Sequence, residues 1–240
     1  MKFFKIPQLN VWSALLDLVV VILGILVAFT LNNWWQNRNN RSIEQDLLSS
    51  LRDEIYINLE EMEPLFNRFD STLTLTDKLL DYIGPDADEL PTDDFWTLIS
   101  PCLGITTFDA TNSVKSSIIS NGEIRYIRND IIQQELQLLP AKLRDYLEDE
   151  DFTREEIQNY FKPYIRNIFP TYSLEFRPNH FNISTKNTLR DPKFDSYVGG
   201  IRFRQTIMEM ELNDYKDHLI TLLEAVEIEL GIEPTDTITE

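Results

Sequence analysis

The sequence predicts an all-α fold: an N-terminal transmembrane helix that continues into a helical-bundle extramembrane domain. Three observations carry that expectation. Residues 11–31 form the only long apolar run in the chain, glycine is scarce at seven residues in 240, and the stretches beyond the run place apolar residues three and four apart. The expected organisation is a short flank at 1–10, an anchor at 11–35, a helical domain at 36–232 and a disordered tail at 233–240.

The anchor comes first. Trp12 and Trp34 are 22 residues apart, which at the helical rise is about 33 Å, close to the ~30 Å hydrocarbon thickness of a bilayer. Trp12 at one end and Trp34 and Trp35 at the other sit where an aromatic belt would place them, rings inward and N–H toward the headgroups. A cleaved signal peptide fits less well, because the run exceeds the ~7–15 residues of such a segment and no small-x-small cleavage site follows it. Asp17 and the shorter uninterrupted stretch from Leu18 to Leu31 would suit a buried core helix, the third reading of the run. Asp17 lies about 7.5 Å along the axis from Trp12, near an interface and away from the midplane. Gly24 and Ala28, four apart, permit close approach of a second helix. Asp17, Gly24 and Ala28 share one face and form a candidate association surface. Lys2 and Lys5 precede the span, whereas Arg38 and Arg41 beyond it are soon offset by Glu44 and Asp46. The expected orientation is therefore N-terminus inside and domain outside.

The net charge of −18, from 40 acids and 22 bases, disfavours nucleic acid, which requires clustered Lys and Arg to neutralise phosphate. The expected partners are the lipid bilayer and either a second copy of the chain or another membrane protein. An acidic domain is repelled from anionic lipid, so it should stand off the surface except near Arg38 and Arg41. The single Cys102 excludes an internal disulfide and a cysteine zinc site.

Beyond the anchor, Ile43, Leu47, Leu51, Ile55, Leu59 and Met62 form one stripe, with Glu and Asp on the other faces. Neither Gly nor Pro separates this stripe from the span, so one helix continues outward. Pro64 reads as the first turn of a second helix that ends at Gly84-Pro85 and returns as an antiparallel hairpin, burying Leu65, Phe66, Phe69, Leu73, Leu80 and Ile83. Thr92 is placed as the cap of a short helix around Phe95–Ile99. Another helix is expected over 107–121, stopped at Asn121-Gly122. Asn129-Asp130 caps a helix over 131–147 with a kink at Pro140. Glu148 to Asp151 reads as a solvated turn before a helix that ends near Pro170. Pro178, Pro192 and Gly199-Gly200 mark loops, and Met208, Leu212, Tyr215, Leu219, Leu222, Val226 and Leu230 form the seam of a last helix.

Two stretches resemble an uncharacterised family of bacterial single-pass membrane proteins, a domain of unknown function. One is Asp17 through Gly24 and Ala28 to Asn32-Asn33-Trp34; the other runs from Ser116 through Gly122 and Ile127 to Asn129-Asp130. The family usually has Glu where Asp17 stands and often Asn where Trp35 stands. The resemblance implies an anchored helical domain and carries no known activity. With the flank charges, the expected location is a bacterial inner membrane, N-terminus cytoplasmic and helical domain in the periplasm.

Chemistry is sparse in the pattern. The only two histidines, His180 and His218, lie in no metal-binding or acid–base motif, and no phosphate-binding glycine loop occurs. His218 reads as a structural, hydrogen-bonded histidine at the edge of the last seam. Glu60, Glu61 and Glu63 read as a wet helix face, and Glu148 to Asp151 lacks the pattern of a calcium loop. No catalytic residue, metal or cofactor is expected. The functional expectation is a membrane-tethered interaction or scaffold module; an accessory or regulatory subunit of a membrane transport complex, and then a membrane-bound enzyme built from sequence-distant acids, are the alternatives.

Overall fold

The computed structural model describes residues 11–169 and 183–233. Of these, 84% are helical and none lies in a strand, so the chain is all-α over the described residues. The flank at 1–10, Pro178, His180 and residues 234–240 of the tail fall outside them. The helices are α1 (Val11–Asp81), α2 (Thr92–Ile99), α3 (Ser113–Ser120), α4 (Asp130–Glu156), α5 (Lys162–Ile168), α6 (Lys186–Leu189) and α7 (Pro192–Leu230).

α1 is one helix of 71 residues, about 105 Å long. The expected break at Pro64 does not occur, and no hairpin forms. Leu48, Leu51, Ile55, Leu59 and Met62 are buried before the proline and Phe69, Thr76 and Leu79 after it, so one stripe crosses it without a change of phase. Pro64 and Glu60 are both exposed, which puts the carbonyl left without its donor on the wet side of the helix. Burial on both sides of the site outweighs the ~3 kcal/mol that an interior proline costs. The stripe also takes in Glu44 and Glu54, both buried and not on the outer face where the sequence pattern put the acids. Glu60, Glu61 and Glu63 are exposed as expected.

α7 runs antiparallel to both α1 and α4 and lies between them. Arg41 donates to Glu229 at 2.5 Å near one end of the α1–α7 pair, and Arg202 donates to Asp77 at 2.8 Å near the other. Along α4–α7 the ties are His218 Nδ1 to Glu135 at 2.7 Å, Lys142 Nζ to Asp214 at 2.6 Å and Arg204 Nε to Glu156 at 2.7 Å. His218 is thus the hydrogen-bonded structural histidine its position predicted. Two apolar clusters fill the bundle. One joins Leu48–Phe69 of α1 to Ile132–Tyr146 of α4 and Met208–Val226 of α7. The other is rich in aromatics and packs Phe95, Phe161, Phe169 and Phe194 around Leu79 and Ile99. Every predicted seam residue of α7 from Met208 to Val226 is buried.

Several boundaries differ from the sequence reading. Asn129 caps α4 as expected, its Oδ1 accepting from the Ile131 and Ile132 amides at 2.9 and 3.3 Å. The helix, however, continues through exposed Pro140 and through Glu148 to Asp151. The acidic run is no turn because Tyr146, Glu150 and Thr153 are buried, which keeps an inward face on the helix there. Glu150 pairs with Arg154 four residues on. Thr92 is the first helical residue of α2 and supplies no side-chain cap; Pro91 holds the capping position. α3 spans only Ser113–Ser120: Thr111 exchanges two bonds with the Asn58 side chain of α1, which ties the non-helical segment before α3 to that helix. Gly122 takes the left-handed conformation, φ 67°, that its place after α3 required. α7 starts much earlier than its seam: Asp191 accepts from the Lys193 amide, Pro192 occupies the first turn, and Gly199-Gly200 lie inside the helix. A Cβ on Gly200 would sit 3.3 Å from Glu156 Oε1, so the glycine permits close approach to the end of α4.

Candidate functional site

The apolar segment of α1 stands clear of the bundle. Every described side chain from Trp12 to Asn39 is exposed, and the first buried one is Glu44. This is one helix long and apolar enough to cross a membrane. Trp12, Trp34 and Trp35 are 77%, 60% and 63% exposed, and the Arg38 guanidinium lies 5.7 Å over the Trp34 ring. Asp17, Gly24 and Ala28 are all exposed, and apart from the adjoining turns of its own helix nothing among the described residues lies within 4 Å of a Cβ built on Gly24. In lipid there is no hydrophobic drive to pair helices, so small residues and a polar contact must supply it. Gly24→Leu and Asp17→Leu are expected to reduce crosslinked complexes in bilayers while the membrane level of the protein is retained. Wild-type crosslinking in both variants would exclude this face.

Sequence reasoning missed a second constellation, in which α1, α3 and α7 meet. Glu54 is 3% exposed and accepts at its carboxylate from the Val114 amide at 2.6 Å, the Lys115 amide at 3.1 Å and Ser113 Oγ at 3.3 Å. A carboxylate of α1 therefore caps the start of α3, where unpaired amides and the helix dipole favour negative charge. Lys115 is 5% exposed; its Nζ donates to Tyr215 Oη at 2.8 Å and lies 5.4 Å from the centre of that ring. Burial lowers the ammonium to about 8 from 10.5, against the pull of Glu54. Burial likewise pushes the Tyr215 hydroxyl up. Lys115 and Tyr215 open onto a pocket of about 200 Å³ between α3, α4 and α7, which Leu139, Pro140, Leu143 and Arg144 also line. A signal was present in the sequence: Lys115 shares the i, i+3 and i+4 positions with Ile118 and Ile119, a charge on an apolar face.

A third group lies on the α4–α7 seam. Glu211 faces Asp149 of α4, and burial together with Asp149, Asp145 and Asp214 raises its carboxyl to about 7. The folded chain thus holds this proton more tightly than the unfolded chain, whose value is near 4.5. Its contribution to stability is complete below that unfolded value and is lost as pH rises through about 7. Wild-type protein is expected to melt at a lower temperature at about pH 7.5 than at about pH 5. Glu211→Gln should flatten that difference, since His218 and the other acids are common to both. An unchanged pH slope in Glu211→Gln would remove this carboxyl from the account. Among the described residues no group of three or more His, Cys, Asp or Glu side chains is placed to hold a metal. Cys102 is buried beside Thr76 Oγ1 at 3.6 Å, and burial raises its thiol to about 11. Compared with protein-family models, with curated proteins and with solved structures, the chain finds no match in any of the three.

Proposed function

We propose that the chain is a membrane-tethered helical interaction or scaffold module with a non-enzymatic role, anchored by residues 11–35 in a bacterial inner membrane. One observation carries the reading. The same helix whose 26 described side chains from Trp12 to Asn39 are bare and mostly apolar becomes, from Glu44 onward, a wall of the bundle core. An apolar surface of that length left uncovered calls for lipid. The slight lysine excess before the span supports a cytoplasmic N-terminus and a periplasmic domain. A second reading, an accessory subunit of a membrane transport complex, is favoured by the bare face bearing Asp17, Gly24 and Ala28.

The full chain is expected to stay with membranes through alkaline carbonate extraction, and a C-terminal alkaline phosphatase fusion to be active while a fluorescent-protein fusion is dark. Recovery of the chain in the soluble fraction would overturn the anchor. The reverse fusion pattern would overturn the orientation alone. Identification of proteins that co-purify in mild detergent separates a self-associating scaffold from a subunit of a transport complex.

A further inference from the structure

We propose that the pocket between α3, α4 and α7 binds a small amphipathic carboxylate, its charged end held by Lys115 and Arg144 and its apolar body lying on Ile119, Leu143 and Leu147.

The lining carries the argument. In a chain with 40 acids and 22 bases, the residues around this pocket include two bases and no acid. Lys115 is almost fully enclosed, yet its ammonium makes a single hydrogen bond, to Tyr215 Oη. An ammonium has three donor hydrogens, and a buried charge with donors unused is costly unless an acceptor completes it. The nearest acid does not do so: the Glu54 carboxylate is engaged by the Ser113 hydroxyl and by the backbone amides of Val114 and Lys115. At the rim, Arg144 is exposed and makes no hydrogen bond or ion pair among the described residues. Its planar fork matches a carboxylate. Asn112, Ser116 and Tyr215 complete the polar part of the lining; the remaining wall is aliphatic, and Ile119 and Leu147 remain 39% and 40% exposed at its mouth. A mostly apolar pocket with a few convergent polar groups is the usual form of a small-molecule site. The volume, about 200 Å³, limits the occupant to a short chain or a single ring. A carboxylate suits the wall better than a phosphate dianion, whose greater charge would lose more hydration against the leucines.

The test uses the full chain in nanodiscs of zwitterionic lipid, with empty nanodiscs as the blank. Hexanoate is titrated by calorimetry and by saturation-transfer NMR, and hexanamide serves as an uncharged probe of the same shape. Hexanoate is expected to bind saturably at one site and hexanamide at least about tenfold more weakly, as loss of hydrogen bonds to charged groups implies. Arg144→Gln should weaken hexanoate by about tenfold. Lys115→Met should abolish saturable binding with the helical circular dichroism retained. Should Lys115→Met unfold the domain, Arg144→Gln and hexanamide decide the matter, because the fold draws no hydrogen bond or ion pair from exposed Arg144 among the described residues. Equal binding of the two probes, wild-type affinity in Arg144→Gln, or no saturable binding of hexanoate would each overturn the proposal.

Discussion

Leu219→Ala is expected to destabilise the bundle by about 2–5 kcal/mol, read from chemical denaturation of the full chain in detergent and followed by circular dichroism. Leu219 is 0% exposed, at the middle of the α7 seam. α7 is held by α1 on one side and α4 on the other through ion pairs near both ends. The walls of the resulting cavity therefore cannot close over it, which places the loss toward the upper part of the range. The control is Glu224→Ala, which removes an exposed side chain of the same helix and should change stability by less than about 0.5 kcal/mol. Glu209, although it falls between seam positions, is half-buried, and its charge reaches Arg202, so it is the poorer control. Similar losses for Leu219→Ala and Glu224→Ala would mean that the seam is not core.

Glu54→Ala should cost about as much, roughly 3–5 kcal/mol, because it breaks a buried ionic group from one side. Two amides and a hydroxyl at the start of α3 lose their acceptor, and the Lys115 ammonium loses the charge that offsets its burial. Glu54→Gln keeps the shape and one acceptor oxygen and should cost less, about 1–3 kcal/mol. Combining Glu54→Ala with Lys115→Met should destabilise by less than the sum of the two, since the second change removes the charge the first leaves unpaired. A loss below about 1 kcal/mol for Glu54→Ala would show that water replaces the carboxylate without difficulty.

The contrast between these two residues explains what could be read beforehand. Leu219 belongs to a periodic set, and periodicity survives in the sequence whatever the helix packs against. Asn129 and Gly122 were legible for a similar reason, since each acts on backbone within three residues of itself. Glu54 and Lys115 are meaningful only because α1 and α3, some 60 positions apart in sequence, bring them together. Taken alone, each looks like one more charge on a helix. Pro64 misled in the opposite direction. Its local signal for a helix start is genuine, but the apolar stripe on both sides kept its phase, and that continuity outweighed the proline. Gly199-Gly200 reads as a loop in the sequence, yet lies inside α7; the approach of Glu156 to Gly200 is a property of the fold and not of the pair.

The unbroken α1 makes the molecule a lever. Trp35 and Asp81 are 46 residues apart on one helix, about 69 Å of stiff rod. With its lower end gripped by a bilayer as proposed, a change of tilt of about 10°, well within the spread found for membrane helices, would carry the far end sideways by about 12 Å. Rotation of the buried segment about its axis would turn α4 and α7 with it, for no hinge lies between them and the lipid. Bilayer thickness and lateral pressure would thus be transcribed into the position of a distant surface.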